Sequence, residues 1–380
     1  MLIGIYIEPV KVSAKTGISR YISGLVETLA AIDKNNHYYL YYQANLWGEN
    51  ALNWLAQYKN VTLRPLKFPS NWLDDHPTLW WKYYLPFFLW KDRIDVFHGA
   101  NHYIPLQGKI PTVLTIHDLA YYYMEVHGEG MDRVLKNWTN QNLQVADMVV
   151  AISQSTASDC IREGVPKEKI HIVYQGFEGK QQILANILED ASLPVGVTQP
   201  YILFIGTIQP RKNVLYILDG FAKIADKIPH NLVLAGAPGE SSQAVKDKID
   251  YLNLQHRVIL SGYINDSERH ALYQNADIFL YPSKYEGFGL VLLEAMSYGV
   301  PVITANNSSM PETAGDAAIL VDEKDTDTLS NAILSLHNDT QLKDKLINLG
   351  YLRIEQFKWE TCAQKMLKIY QLAANLKTRK

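Results

Sequence analysis

The sequence is poor in cysteine: Cys160 and Cys362 are the two it has in 380 residues, too few for the disulfide framework of a small secreted domain. It lacks an excess of either charge, with 36 basic against 39 acidic residues. That excludes the broad basic field that draws proteins to nucleic acid, so no nucleic-acid partner is expected and any anionic ligand must be held locally. No apolar run reaches the ~20 residues of a membrane span, and MLIGIYIEPV at the start has no basic stretch of the kind that opens a secretory signal. A P-loop, a G-x-S-x-G turn and a Cys/His ligand set are all missing. These absences predict a cytoplasmic chain without disulfides.

What is present is length and alternation. A chain of 380 residues exceeds the ~250–300 at which single cores stop growing, so two domains are expected. Short β-branched or aromatic runs alternate with helical patterns, the mark of βαβ units and parallel sheets. One series runs from LIGIYIE through HYYLYYQ, VTLRPLK, IDVFH, TVLTIHD and MVVAIS to IHIVYQG; a second runs from YILFIGT through NLVLAGA, VILSGY, DIFLYPS and PVITAN to AAILVD. Between Gly176 and Pro200 the alternation stops, apart from a short helical pattern at 183–190. The reading is therefore α/β: two doubly wound, Rossmann-like domains, 1–178 and 179–358, facing each other across a cleft. The strandless segment 359–380 is expected to return to the first.

In such sheets ligands sit beyond the carboxyl ends of strands. After DIFLYPS comes KYEGFGLVLLEAM, where Gly287 and Gly289 allow a tight turn into a helix whose first amides suit phosphate. Two acids flank this turn. Glu286 stays in the loop, and Glu294 falls about five residues into the helix, inside VLLEAM, where an ionised carboxylate needs a partner that the segment does not supply. Their spacing suits two hydroxyl-bearing groups joined by a pyrophosphate, as in a nucleotide sugar.

After YILFIGT, with Gly206 at its end, come Arg211 and Lys212, which either neutralise a diphosphate or form a solvated pair before a helix over 214–228. In the first half, His117 and Asp118 end one strand and Ser153 ends another. His117 fits a structural hydrogen bond as well as a ligand contact, and Ser153 fits a helix N-cap as well as a ligand contact. Gly17 and Arg20 open a helical pattern after the first strand and could close over phosphate or sugar. The lone D-x-D, Asp325 to Asp327, precedes TLSNAIL and reads as a cap rather than a metal chelate. With two cations to take its place, no metal is expected. The aromatic segment 77–91, PTLWWKYYLPFFLWK, is too short to cross a bilayer; domain core and a partly exposed patch for a membrane surface or lipid-like acceptor both fit it.

Taken together, E-G-F-G-L-x-x-L-E-A-M, G-T-x-x-x-R-K-N, the strand-end His-Asp and A-I-S-Q-S-T resemble glycosyltransferase family 4, retaining enzymes of GT-B fold, along nearly the whole chain. The resemblance implies that Glu294 holds the ribose hydroxyls of a nucleotide-sugar donor and that Glu286 faces the transferred sugar. It implies that Arg211 and Lys212 neutralise the diphosphate, with amides at Phe288, Gly289 and Leu290, and that His117 lies near the reacting bond. Gly17 and Gly206 fall on the donor side, and Arg20, Asp118 and Ser153 near sugar or acceptor. Where the family often has a glycine pair, Thr16 precedes Gly17. IHDLAYYYMEV and GTIQPRKN are most similar to mannosyltransferases that use GDP-mannose. The acceptor implied is a hydroxyl of a glycan or lipid-linked sugar, with no cofactor, and 77–91 offers a peripheral membrane contact at the inner face. Two rivals share these features: a nucleotide-sugar epimerase of GT-B fold and an inactive donor-binding scaffold subunit. On this reading Glu294→Gln weakens nucleoside diphosphate binding, while Glu286→Gln leaves it nearly unchanged and lowers turnover.

Overall fold

The computed structural model describes residues 1–7, 17–43, 52–55, 57–66, 79–178 and 192–377. The helix expected over 183–190 lies outside them, as do Thr16 and residues 77 and 78. The chain divides into two compact units, Met1–Gly176 with Phe357–Lys380, and Phe177–Gln356.

The first unit begins with β1 (Leu2–Tyr6), α1 (Gly17–Ile32), β2 (His37–Gln43) and β3 (Val61–Leu66). One π-helical turn at Trp80–Tyr84 runs into α2 (Leu85–Lys91), and β4 (Val96–Gly99), β5 (Thr112–Ile116), α3 (Ala120–Tyr123) and α4 (Glu129–Val145) follow. The series ends with β6 (Met148–Ala151), α5 (Gln154–Arg162) and β7 (Ile170–Ile172). Among the described residues these strands form one parallel sheet in the order β3-β2-β1-β4-β5-β6-β7. Every residue of TVLTI in β5 is buried, because crossover helices cover both faces of a parallel sheet and leave no side for polar residues.

The second unit has the same logic. β8 (Tyr201–Ile205), α6 (Val214–Ala222), β9 (Asn231–Ala235), α7 (Ser242–Tyr251), β10 (Val258–Gly262) and α8 (Asp266–Asn275) lead to β11 (Ile278–Tyr281), α9 (Leu290–Ser297) and β12 (Val302–Ala305). α10 (Met310–Ala314), β13 (Ala318–Val321), α11 (Thr326–Asn338) and α12 (Thr340–Ile354) complete it. The parallel order is β10-β9-β8-β11-β12-β13. The helix expected over 214–228 stops at Ala222, and residues 223–227 continue as turns, with i→i+3 bonds from Ile224 to Phe221 and from Lys227 to Ile224.

The last helix, α13 (Trp359–Lys377), belongs to the first unit. Ala363, Met366, Tyr370 and Ala373, spaced three to four apart on one side, are fully buried, which is the apolar stripe a packed helix needs. Its first residue sits in a cradle made by missing side chains. A Cβ on Gly24 of α1 would lie 2.3 Å from the Trp359 ring, and one on Gly176 would lie 2.2 Å from it. Deeper in, the Tyr370 hydroxyl meets His98 Nδ1 at 2.8 Å, and His98 Nε2 meets Thr115 Oγ1 at 2.8 Å. Burial holds the His98 imidazole far down, at about 3, so it is a neutral strut at neutral pH.

The aromatic segment resolves both ways. Trp80, Trp81, Leu85 and Leu89 are core, whereas Tyr83, Phe87 and Trp90 are 56%, 53% and 72% exposed. The wide first turn, closed by Leu85 N–H to the Trp80 carbonyl, directs both tryptophans inward.

Candidate active site

In the second unit the strand order reverses between β8 and β11, the point where open α/β sheets place their ligands. The loops leaving those two strands carry the predicted groups. After β8, a short turn at Pro210–Lys212 ends at Asn213, whose left-handed backbone (φ 61°) is tied by its side chain to the carbonyls of Pro282 and Glu323. Lys284 N–H donates to the Arg211 carbonyl at 2.8 Å. The two loops are thus latched by the Asn213 side chain and by a backbone bond, independently of the charged side chains.

Arg211, Lys212 and Glu286 come together. Glu286 Oε1 receives Arg211 Nη1 at 2.9 Å, the Lys212 ammonium, the Ser283 hydroxyl at 2.9 Å and the Tyr281 hydroxyl at 3.1 Å. Burial alone would raise this carboxyl's pKa, but Lys212 and Arg211, with hydrogen bonds from Lys212 and Ser283, bring it down to about 2. The Lys212 ammonium also lies 4.8 Å from the centre of the Tyr281 ring. With Lys212 buried, the reading of these cations as a solvated pair does not hold. Both sides of the Glu286 peptide are fixed as well, its N–H donating to Ser308 Oγ at 3.1 Å and its carbonyl accepting from Ser309 Oγ at 2.8 Å. Ser308 holds a left-handed φ of 46°, a strained backbone of the kind that clusters at functional sites.

Gly287, Phe288, Gly289 and Leu290 follow as the turn into α9. Gly289 caps the helix at φ 97°, a left-handed backbone that favours glycine, and a Cβ there would press on the flexible end of Met310, 2.4 Å away at Cε. Phe288 is buried and its carbonyl accepts from the Thr313 hydroxyl. Leu290 opens α9, whose first turn presents N–H groups that have no intrahelical acceptor.

Glu294, fifth residue of α9, is buried, and its partner comes from α8. Arg269 Nη1 lies 3.3 Å from Oε1, and the Tyr273 hydroxyl donates to Oε2 at 3.0 Å. Arg269 is braced in turn by Asp266 at 2.9 Å, and the helix that delivers it starts with a reciprocal cap between Asn265 and Glu268. Burial works against the guanidinium's charge, but Glu294, with Tyr273 and Asp266, holds its pKa above the ordinary value.

In the first unit His117 follows β5 and is buried. Its Nε2 lies 2.9 Å from the Ala100 carbonyl; a carbonyl only accepts, so Nε2 carries the proton and Nδ1 is the free acceptor of the neutral ring. Burial and the neighbouring His102 push its pKa down to about 4. Asp118 Oδ1 accepts from Ala120 N–H, the first amide of α3, at 3.0 Å. Ser153 is the N-cap of α5, accepting from Thr156 N–H at 3.0 Å, while the Thr156 hydroxyl reaches the His117 carbonyl at 3.4 Å. Gly17 is the first residue of α1, and Arg20 lies one turn on, half-buried. Asp325 caps α11 through Asp327 N–H, as its spacing predicts. Among the described residues no group of three His, Cys, Asp or Glu side chains is placed to hold a metal ion.

Sequence reasoning missed several participants. Tyr281 and Ser283 alternate on the same side of the run that ends at Glu286, a period-two signal that was available. His102 is another: it has φ 53° and a buried Nδ1 without a partner, and its ring centre lies 5.8 Å from that of His117. It follows β4 next to the place where the first sheet reverses its order. Arg269 and Tyr273 had no local signal.

The family described as glycosyl transferases group 1 matches residues 188–353, and that described as Glycosyltransferase Family 4 matches residues 16–178. O-antigen chain mannosyltransferase B of Escherichia coli is 29% identical over 286 residues, 73% of this chain and 74% of that protein. Sucrose-phosphate synthase from Thermosynechococcus elongatus superposes with a TM-score of 0.72 at 21% identity, over 98% of both chains. Anabaena HepE, solved in complex with UDP-glucose, superposes with a TM-score of 0.69 at 19% identity, over 98% of this chain and 99% of that one. Matched along its two halves by glycosyltransferase family models, and built on the two parallel sheets seen in solved glycosyltransferases, this chain is a glycosyltransferase of GT-B fold similar to family 4.

Proposed function

We propose that the protein transfers mannose from GDP-mannose, with retention of configuration, to a hydroxyl of a glycan or lipid-linked acceptor. The observation that carries the donor half is the placement of Arg211 and Lys212 on the loop from β8, against the loop from β11. Cations held there, with the amides at Phe288, Gly289 and Leu290, meet the charge that develops on a departing diphosphate. Glu294 takes the ribose, Glu286 the transferred sugar, and His117, neutral at its Nδ1, accepts a sugar hydroxyl. We assign Gly17 and Gly206 to the donor and Arg20 and Asp118 to sugar or acceptor, whereas Ser153, fully buried and bonded to Thr156, serves as a helix cap. The lean toward mannose is supported by the relative named as a mannosyltransferase; HepE, solved with UDP-glucose, makes the uridine donor the rival to exclude. Incubation with GDP-mannose, UDP-glucose and UDP-galactose, each with and without a mannosyl-lipid acceptor, tests donor and reaction class together, and NMR of the new anomeric centre tests retention. Release of an epimerised sugar without acceptor, or no turnover of any donor, overturns the proposal.

On the acceptor side we place a peripheral membrane contact at α2, at the cytoplasmic face. Tyr83, Phe87 and Trp90 form an exposed stripe, and Lys91, Arg93 and Lys109 are exposed on the same stretch of chain or beside its pocket. Aromatic rings flanked by cations are what an anionic interface attracts. A pocket of about 340 Å³ adjoins Trp90 and Pro86, and its other wall comes from the residues that lead into β5 and β6, such as Ile110, Val145 and Thr112, the first residue of β5. That is the amino-terminal edge of the sheet, opposite the edge that carries His117, so this surface suits anchoring rather than the reacting hydroxyl. No helix among the described residues is long and apolar enough to cross a membrane.

A further inference from the structure

A buried ion pair is a poor way to hold two helices together, because well-packed apolar residues of similar volume serve as well or better. α8 and α9 nonetheless meet through polar pairs at i, i+4 spacing on both helices. Arg269 and Tyr273 reach Glu294, and His270 Nδ1 meets the Tyr298 hydroxyl at 2.7 Å while Tyr273 stacks on Tyr298 at 5.5 Å. The two carboxylate oxygens of Glu294 are each approached by an α8 donor, and a carboxylate oxygen accepts more than one hydrogen bond. Donors on both oxygens fix the plane of the group, and with it the direction from which a further donor approaches. Two adjacent acceptors in one plane match two adjacent hydroxyls.

We propose that Arg269 and Tyr273 are positioning residues, which set the Glu294 carboxylate to accept both hydroxyls of the donor's ribose; this rests on the assignment of Glu294 to the ribose. Neither touches the reacting atoms. A carboxylate fixed in this way discriminates a ribose from a 2′-deoxyribose, and loss of the fixing donors reduces that discrimination before it reduces anything else.

The test is titration of Glu294→Gln, Arg269→Gln, Arg269→Lys and Tyr273→Phe with GDP, 2′-deoxy-GDP and inorganic pyrophosphate, with UDP and 2′-deoxy-UDP as a second base. The unaltered protein is expected to prefer the ribonucleotide by roughly tenfold or more, the worth of one charge-assisted hydrogen bond. Arg269→Gln should bring that ratio close to the Glu294→Gln value, Arg269→Lys should restore part of it, and pyrophosphate affinity should not move. In turnover, KM for the donor rises while kcat stays near its original value. Tyr273→Phe keeps the ring stack and loses only one donor, so it remains folded and should lose several-fold of the ratio if Arg269→Gln proves unstable. A full ratio in Tyr273→Phe and Arg269→Lys beside a collapsed ratio in Glu294→Gln overturns the positioning role alone. A full ratio in Glu294→Gln overturns the ribose assignment, and the positioning role with it.

Discussion

Glu286→Gln separates two roles for Arg211 and Lys212. Arg211 Nη1 lies 2.9 Å from Glu286 Oε1, and Lys212 is bonded to the same oxygen. A diphosphate oxygen held by those cations sits one further hydrogen bond away, roughly 5–6 Å from the carboxylate. At an effective dielectric of about 20, two unit charges at that distance repel by about 3 kcal/mol. Glutamine fills the same space without the charge. After screening, we expect nucleoside diphosphate to bind roughly 5- to 100-fold more tightly, or ~1–3 kcal/mol, while turnover falls because the sugar loses its carboxylate. This reverses the sequence-level expectation of unchanged affinity, which took no account of Glu286 sharing the cations with the donor. Calorimetric titration with GDP and UDP at low and high salt checks it, with the nucleosides as controls. Unchanged or weaker diphosphate affinity in a folded variant at low salt would refute the placement of the diphosphate on Arg211 and Lys212.

The same carboxyl governs acid stability. Its pKa is lowered on folding from 4.5 to about 2, so it contributes stability that is complete above pH 4.5 and is lost as pH falls through that interval, about 3 kcal/mol in all; Glu286→Gln should therefore be less stable at neutral pH and show a shallower acid decline in denaturant midpoints. Transfer should survive EDTA, and complete loss of activity restored by Mn²⁺ or Mg²⁺ would remove the assigned role of the two cations. Replacing Tyr83, Phe87 and Trp90 together with serine should reduce sedimentation with anionic vesicles by at least roughly tenfold, with thermal stability little changed because these rings are exposed. Equal binding to neutral and anionic vesicles, or no change in the variant, would remove the membrane contact. Trp80 and Trp81 are unsuitable for that test, since both are buried and a serine at either opens a cavity that costs ~3–5 kcal/mol.

Much of the fold could be read from local pattern. Strands such as YILFI and IFLY are buried on both faces, so they appear as unbroken apolar runs, and the acid at Asp325 announces its cap. Glu286, Arg211 and Lys212 were legible because each lies just beyond a strand end. Their mutual ion pairs were not, because the reversal that makes β8 and β11 neighbours is a property of sheet order, which no local pattern encodes. Arg269 lies 25 residues before Glu294 on a helix of its own, so the partner that an acid in VLLEAM requires was inferable and its identity was not. The aromatic segment could not be assigned as a whole because one wide turn changes its helical period, which sends neighbouring rings to different environments.

The return of α13 sets a schedule for the nascent chain. The second unit is one continuous stretch, Phe177–Gln356, whereas the first needs Phe357–Lys380 to complete its core, and the bond between His98 and Tyr370 joins residues 272 positions apart. Ribosomes add ~5–20 residues per second, so residues 177 to 380 take on the order of 10–40 s to emerge. Through that interval the side of α1 around Tyr21 and Gly24, which later receives Trp359, is exposed in the cell. The later-made unit can close its core first, and the segment synthesised earliest spends the longest time exposed to chaperones, proteases and other nascent chains.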